Sequence, residues 1–66
     1  MRVDKYLWAT RYFKTRSKAT DAAKKGRIRI GDSIIKPSRD VYPGDIIKLR
    51  KDQIDYLIEV IDLPDS

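Results

Sequence analysis

The run Lys14-Thr15-Arg16-Ser17-Lys18 places three cations and two hydroxyls within five residues. It falls where one helical rhythm stops and another starts, so the unpaired backbone amides of a helix N-terminus join these side-chain donors. Amides, hydroxyls and cations can all donate to the oxygens of an anion, and phosphate is the natural ligand for such a set. Ser17 is the expected N-cap of the second helix, its hydroxyl accepting from a first-turn amide while its own amide stays available. The competing reading is a cap surrounded by solvated charge.

More cations flank this run. Arg2, Lys5 and Arg11 project from the segment before it, and Arg27 and Arg29 from the segment after. Arginine suits bidentate phosphate contact and stacking on bases. Any one of these charges alone is best read as solvated, so the argument rests on the cluster. Tyr6, Trp8 and Tyr12 interleave with the cations, and unpaired bases stack on aromatics placed in this way. A domain this small needs aromatics for its core, however. Tyr6 and Phe13 are assigned there, while Trp8 and Tyr12 are open to either role.

The carboxylates do not assemble into a catalytic set. Asp40, Asp45, Asp52, Asp55, Glu59, Asp62 and Asp65 are scattered, without a nucleophile or base at matching spacing. There is no cysteine and no histidine, which removes disulfides, thiolate chemistry and the commonest zinc sites. Phosphate-loop, dinucleotide, zinc-protease and nucleophile-elbow patterns are all missing. The expectation is a binding protein with no catalytic residues and no cofactor.

Charge then narrows the partner. Fifteen Lys and Arg against ten Asp and Glu give +5 over 66 residues. The excess is lopsided: residues 1–29 hold ten basic and two acidic residues, net +8, and residues 30–66 are net −3. A concentration of this kind makes a directional positive field that attracts a polyanion. With no apolar run of signal-peptide or membrane-spanning type, the expected setting is cytoplasmic, away from membranes. Sixty-six residues allow one domain, 1–66, whose core supplies only about 3–5 kcal/mol of net stability. Nothing in the pattern demands a dimer, so a monomer is expected.

The elements that must hold these residues are legible from periodicity. Val3, Tyr6, Leu7, Thr10 and Phe13 follow a helical rhythm, predicting a first helix over about 3–12, with Asp4 in its first turn favouring the positive end of the dipole. A second helix is predicted from Ser17. Its Ala19, Ala22 and Ala23 form a small-residue stripe, and Gly26 ends it. From Arg27 the period becomes two, with Ile28 and Ile30 inward and Arg27 and Arg29 outward. Gly31-Asp32 is a tight turn with glycine first. Residues 33–36, 46–50 and 54–61 read as further strands, Pro43-Gly44 as a turn and Leu63-Pro64-Asp65-Ser66 as the end of regular structure. The predicted class is α+β, two short N-terminal helices on a small antiparallel sheet of about four strands.

Three stretches together carry a resemblance: Arg2-Val3-Asp4-Lys5-Tyr6-Leu7-Trp8, then Lys14-Thr15-Arg16-Ser17-Lys18-Ala19, then Lys25-Gly26-Arg27-Ile28. The chain resembles the S4-type RNA-binding domain family, and within it the bacterial ribosome-associated heat-shock branch. The family pattern is Arg-Leu-Asp-Lys-x-Leu, then Lys-Thr-Arg-Ser, then a glycine, a strand and a tight turn. Pro37-Ser38 and Gly44-Asp45 also fit. The likeness covers residues 1–50 well and the last strands loosely. Val3 stands where leucine is usual, and Gly31-Asp32 where many members have Asn-Gly. The resemblance implies an αL RNA-binding surface, made by the two helices and the hairpin. Its contacts would be Arg2, Lys5, Arg11, Lys14, Thr15, Arg16, Ser17 and Arg27, with Lys18 beside them. It further implies a partner in structured ribosomal RNA of the large subunit, with tRNA as a second partner, and a role in rescuing stalled subunits. Members of that branch continue into a basic C-terminal extension, so the family suggests a longer chain.

Two rivals are weighed beside it. DNA binding by a helix-turn-helix needs base-reading side chains, whereas the second helix offers mostly alanine and lysine. A protein-interaction module docking an acidic partner would use the same cations without RNA affinity. A membrane-surface role is weaker, because the first helix is short and its apolar face is needed internally.

Overall fold

The computed structural model describes residues 1–64. Two helices, α1 (Val3–Ala9) and α2 (Arg16–Lys24), precede four strands, β1 (Ile28–Ile30), β2 (Ser33–Ile34), β3 (Ile46–Lys51) and β4 (Ile54–Glu59). The strands form the four-stranded antiparallel sheet that the sequence predicts, and their order is β2-β1-β3-β4. Of the predicted C-terminal stop, Asp65 and Ser66 lie outside the described residues.

Period-two alternation decides which face of the sheet is buried. Ile28 and Ile30 of β1 pair with Leu49 and Ile47 of β3, and Ile47 pairs onward with Ile58 of β4. All five are buried, while Arg29 between the two isoleucines is exposed. Val3, Tyr6 and Leu7 of α1 and Ala19, Ala22 and Ala23 of α2 complete the core with Phe13, Ile35, Val41 and Val60. The alanine stripe lets α2 approach closely, because no long side chain stands between it and its neighbours. Tyr6 and Phe13 are therefore core residues. Tyr12 is half-buried, its ring meeting Tyr56 edge-on at 6.1 Å, whereas Trp8 keeps 37% of its surface exposed.

The first helix is shorter than its apolar rhythm suggests. It stops at Ala9 because Arg11 takes a left-handed conformation, φ +69°. The Arg11 amide donates to the Trp8 carbonyl and the Tyr12 amide to the Leu7 carbonyl, both at 3.0 Å. This is the paired C-terminal bonding of a Schellman motif. The second helix ends with the same motif around Gly26, φ +73°, where the Gly26 amide donates to Ala23 and the Arg27 amide to Ala22. Phe13 keeps its place in the core although it has left the helix.

The start of α2 also differs. Thr15, not Ser17, is the N-cap: its extended backbone (φ −133°, ψ 155°) suits a β-branched residue, and its Oγ1 accepts from the Lys18 amide at 3.2 Å. Ser17 lies inside the first turn, exposed. Strand bounds shift slightly as well. Pairing of β2 stops at Ile34, β3 runs on to Lys51, and β4 stops at Glu59 rather than Ile61. Asp52 and Gln53 both adopt positive φ in the two-residue turn between β3 and β4.

One long-range tie has no counterpart in the sequence reading. The segment after β2 returns to the start of the chain. There the Val3 amide donates to the Arg39 carbonyl at 2.8 Å and the Val41 amide to the Met1 carbonyl at 2.9 Å. Beyond it, Tyr42-Pro43-Gly44-Asp45 makes the expected turn, the Asp45 amide donating to Tyr42 at 3.0 Å and its carboxylate accepting from the Tyr42 amide at 2.9 Å.

The two helix ends make a direct comparison of residue types in one backbone shape. A non-glycine residue in the left-handed region costs about 1–2 kcal/mol, partly offset because glycine is freer when unfolded. Arg11→Gly should therefore stabilise the fold by about 0.5–1 kcal/mol, raising Tm by ~3–6 °C in a domain of this size. Gly26→Arg should move Tm in the opposite direction. Thermal melts followed by circular dichroism check both.

Candidate nucleic-acid interface

The junction between the helices is organised by one carboxylate. Asp4 follows Val3 and precedes Leu7 on the buried side of α1, and only 1% of its surface is exposed. Its Oδ2 accepts from Arg2 Nη2 at 2.9 Å and lies 3.0 Å from the Thr20 hydroxyl of α2. Its Oδ1 accepts from the Lys5 amide at 2.7 Å and lies 3.7 Å from Arg16 Nη2. The Thr20 hydroxyl is also 3.0 Å from the Arg16 carbonyl, so its single proton is shared between the two acceptors. A buried charge is tolerated only when paired and hydrogen-bonded. Here both conditions are met, and among the described residues no buried side-chain polar atom lacks a partner. Asp4 thus does more than complement the helix dipole: it fixes α1 to α2 and fixes two arginines at the surface. The signal for this was its position between Val3 and Leu7 on the apolar face.

Six of the predicted site residues line two hollows, one on each flank of α2, which share Asp21. Arg2, Arg16 and Ser17 line one side with Asp4, Thr20 and Lys24. Lys14, Lys18 and Arg27 line the other, with Lys25, Arg50 and Lys51. The division follows helical geometry, since residues 16, 17, 20 and 24 share one stripe of α2 and residues 18, 22 and 25 another. Lys5 is half-buried and Arg11 exposed, and with the capping Thr15 they line neither flank. Thr15 acts through its cap, which fixes the direction of the first α2 turn between the two flanks.

Lys51 of β3 holds the connecting loop against the sheet. Its Nζ donates to the Tyr12 carbonyl at 2.6 Å and sits 5.4 Å from the centre of the Phe13 ring. In the sequence Lys51 falls between the predicted strands 46–50 and 54–61, and no local pattern announces a contact across 39 residues. Elsewhere, Lys48 Nζ donates to Asp32 Oδ1 at 2.9 Å. That bond and the lysine charge hold the exposed Asp32 carboxyl below its ordinary range. Burial, with Tyr12 nearby, pushes the Tyr6 phenol upward. No group of three or more metal-ligating side chains occurs among the described residues. None of the described helices is long and apolar enough to cross a membrane.

Comparison with known proteins agrees with this geometry. The family model described as the S4 domain matches residues 1–47. The chain belongs to the S4 domain family. Among S4 relatives, the RQC P-site tRNA stabilizing factor of Streptococcus pneumoniae is 36% identical over 66 residues, all of this chain and 75% of that protein. The Heat shock protein 15 homolog of Haemophilus influenzae is 37% identical over the same 66 residues, but these make up only 50% of its length. The trimeric structure of Vibrio cholerae Heat Shock Protein 15 superposes with a TM-score of 0.93 at 35% identity, covering all of this chain and 67% of that one. The predicted fold class and the resemblance to the heat-shock branch are both supported by these matches. The S4 match ends before Arg50 and Lys51, so the β3 wall of the second flank lies outside it.

Removing Asp4 tests its organising role. Asp4→Ala leaves Arg2, Arg16 and Thr20 without their common acceptor and should cost about 3 kcal/mol, most of the stability of so small a domain. Thr20→Val removes one of the three hydrogen bonds to the Asp4 carboxylate and should cost ~1 kcal/mol. Urea unfolding of the two variants beside the parent chain gives both values.

Proposed function

We propose that this chain is a non-catalytic RNA-binding module that docks on structured ribosomal RNA of the large subunit, with tRNA as a second contact. In this reading residues 1–66 act as one S4-type domain, a monomer in the cytoplasm. The observation that carries it is the set of cations around the α1–α2 junction, held in place by a buried carboxylate and a threonine cap. Arg2 and Arg16 are oriented by Asp4, with their side chains still nearly half exposed. A guanidinium steered by one carboxylate retains further N–H donors for a phosphate. Lys14 and Lys18 stand exposed at the start of α2 and are absent from the ion pairs among the described residues. The naming of S4 relatives as P-site tRNA stabilizing factors supports a ribosomal setting and the tRNA contact.

Recognition would follow backbone shape more than base sequence, because the interface offers cations and hydroxyls rather than a row of base-reading amides. Engagement of about 5–7 phosphates gives a slope of roughly −4 to −6 for log affinity against log salt.

Binding of the chain to purified large and small ribosomal subunits, across a salt series, tests the reading. The large subunit should be preferred, with a steep salt slope. Lys14→Ala combined with Lys18→Ala should weaken binding about tenfold and flatten the slope by ~1–2. Equal binding to duplex DNA and to both subunits, unaltered in the variant, would overturn it. Light scattering of the free chain checks the monomer.

A further inference from the structure

The flank of α2 that faces the sheet is a groove of about 420 Å³, bounded by the α1–α2 loop, by α2 and by the β3–β4 hairpin. Its lining carries six cations, Lys14, Lys18, Lys25, Arg27, Arg50 and Lys51, against two carboxylates, Asp21 and Asp52. Its apolar lining is Phe13 and Ala22.

The arrangement is costly to hold together. Lys14 and Lys18 are four residues apart, and the Arg50 amide donates to the Arg27 carbonyl at 2.9 Å, which sets these two arginines side by side. Like charges set side by side repel one another. Asp55, opposite Arg50 on β4, relieves one of them at 3.5 Å. Lys51 is engaged with Tyr12 and Phe13. Lys14, Lys18, Lys25 and Arg27 form no ion pair among the described residues.

The shape of this charge selects the ligand. The six cations come from the α1–α2 loop, from α2 and the residues that follow it, and from β3, so the site fits a linear polyanion better than a single phosphate. An acidic peptide would need apolar anchors for affinity, and the apolar lining is only Phe13 and Ala22, both buried. We propose that this groove is a track for the phosphate backbone of one RNA strand, extending the interface from the α1–α2 junction to the β3–β4 hairpin. Lys25 and Arg50, which sequence reading did not single out, are its distal contacts. The inference rests on the RNA-binding reading above and adds the path of the strand.

The test compares two double variants of equal charge in the full chain. Lys25→Ala with Arg50→Ala empties the distal groove, and Lys36→Ala with Lys48→Ala removes two exposed cations elsewhere. Each is titrated with a fluorescent twelve-nucleotide oligouridylate, with large ribosomal subunits and with polyglutamate, across a salt series. Circular dichroism checks that both variants fold. The groove pair should lose about tenfold in affinity for oligouridylate and its salt slope should shrink by ~1.4, as expected for two contacts to a single strand. The control pair should stay within about twofold. Equal losses in the two pairs would reduce the groove to diffuse charge and overturn the inference. So would binding of the parent chain to large subunits but not to oligouridylate, which leaves the RNA-binding reading standing. Absence of binding to either RNA would overturn that reading itself, and groove-dependent capture of polyglutamate would replace RNA with an acidic protein.

Discussion

A single buried carboxylate sets the geometry of the helical half of this molecule. Asp4 joins the first turn of α1 to the middle of α2 through Thr20, and steers Arg2 and Arg16 from opposite ends of the junction. The cost of burying its charge is offset only if all of these donors are present together. The helices are too short to persist alone, at seven and nine residues. Their mutual orientation therefore depends on this junction and on the alanine stripe beneath it. The surface cations inherit that orientation. Arg2 and Arg16 are positioned as partners of a fixed anion rather than as free chains in solvent, so less entropy is lost when they meet a second anion.

Much of the architecture follows from local pattern. The switch from a helical to a two-residue period at Gly26, the alternation of Ile28 and Ile30 with Arg27 and Arg29, and the turns at Gly31 and Pro43-Gly44 are each decided by a few adjacent residues. Where local pattern fails, a distant partner or a backbone preference decides instead. Thr10 and Phe13 continue the apolar rhythm of α1, yet the left-handed Arg11 ends the helix first and carries Phe13 into the core from a loop. Ser17 has the right chemistry for a cap, but Thr15 has the right backbone. Asp4 reads as a dipole partner until Thr20 and Arg16 are brought beside it. Residues 39–41 show no strand signal because they pair only with the start of the chain.

The separation of the cations by α2 was illegible for the same reason. Charge clustering in sequence shows that residues 1–29 are strongly basic, but not which side of a helix each charge takes relative to the sheet. Packing through Ala19, Ala22 and Ala23 fixes the rotation of α2 and so assigns Arg16 to one flank and Lys18 to the other. An S4 domain built in this way presents two distinct basic surfaces divided by one helix. One is organised around a carboxylate, and the other is closed off by the end of β3 and the turn after it, residues 50–52, which lie beyond the region of the family match.

The bonds between the chain start and residues 39–41 bear on how the molecule is made. At a synthesis rate of about 5–20 residues per second, α1 emerges a few seconds before Val41, its partner in the core, and before the strands that carry Ile47 and Ile58. During that interval Val3 and Leu7 have nothing to cover them, and neither helix has reached a stable length. Folding must therefore wait for most of the chain and then occur as one cooperative event. The nascent N-terminal segment travels until then as an unfolded, strongly cationic peptide.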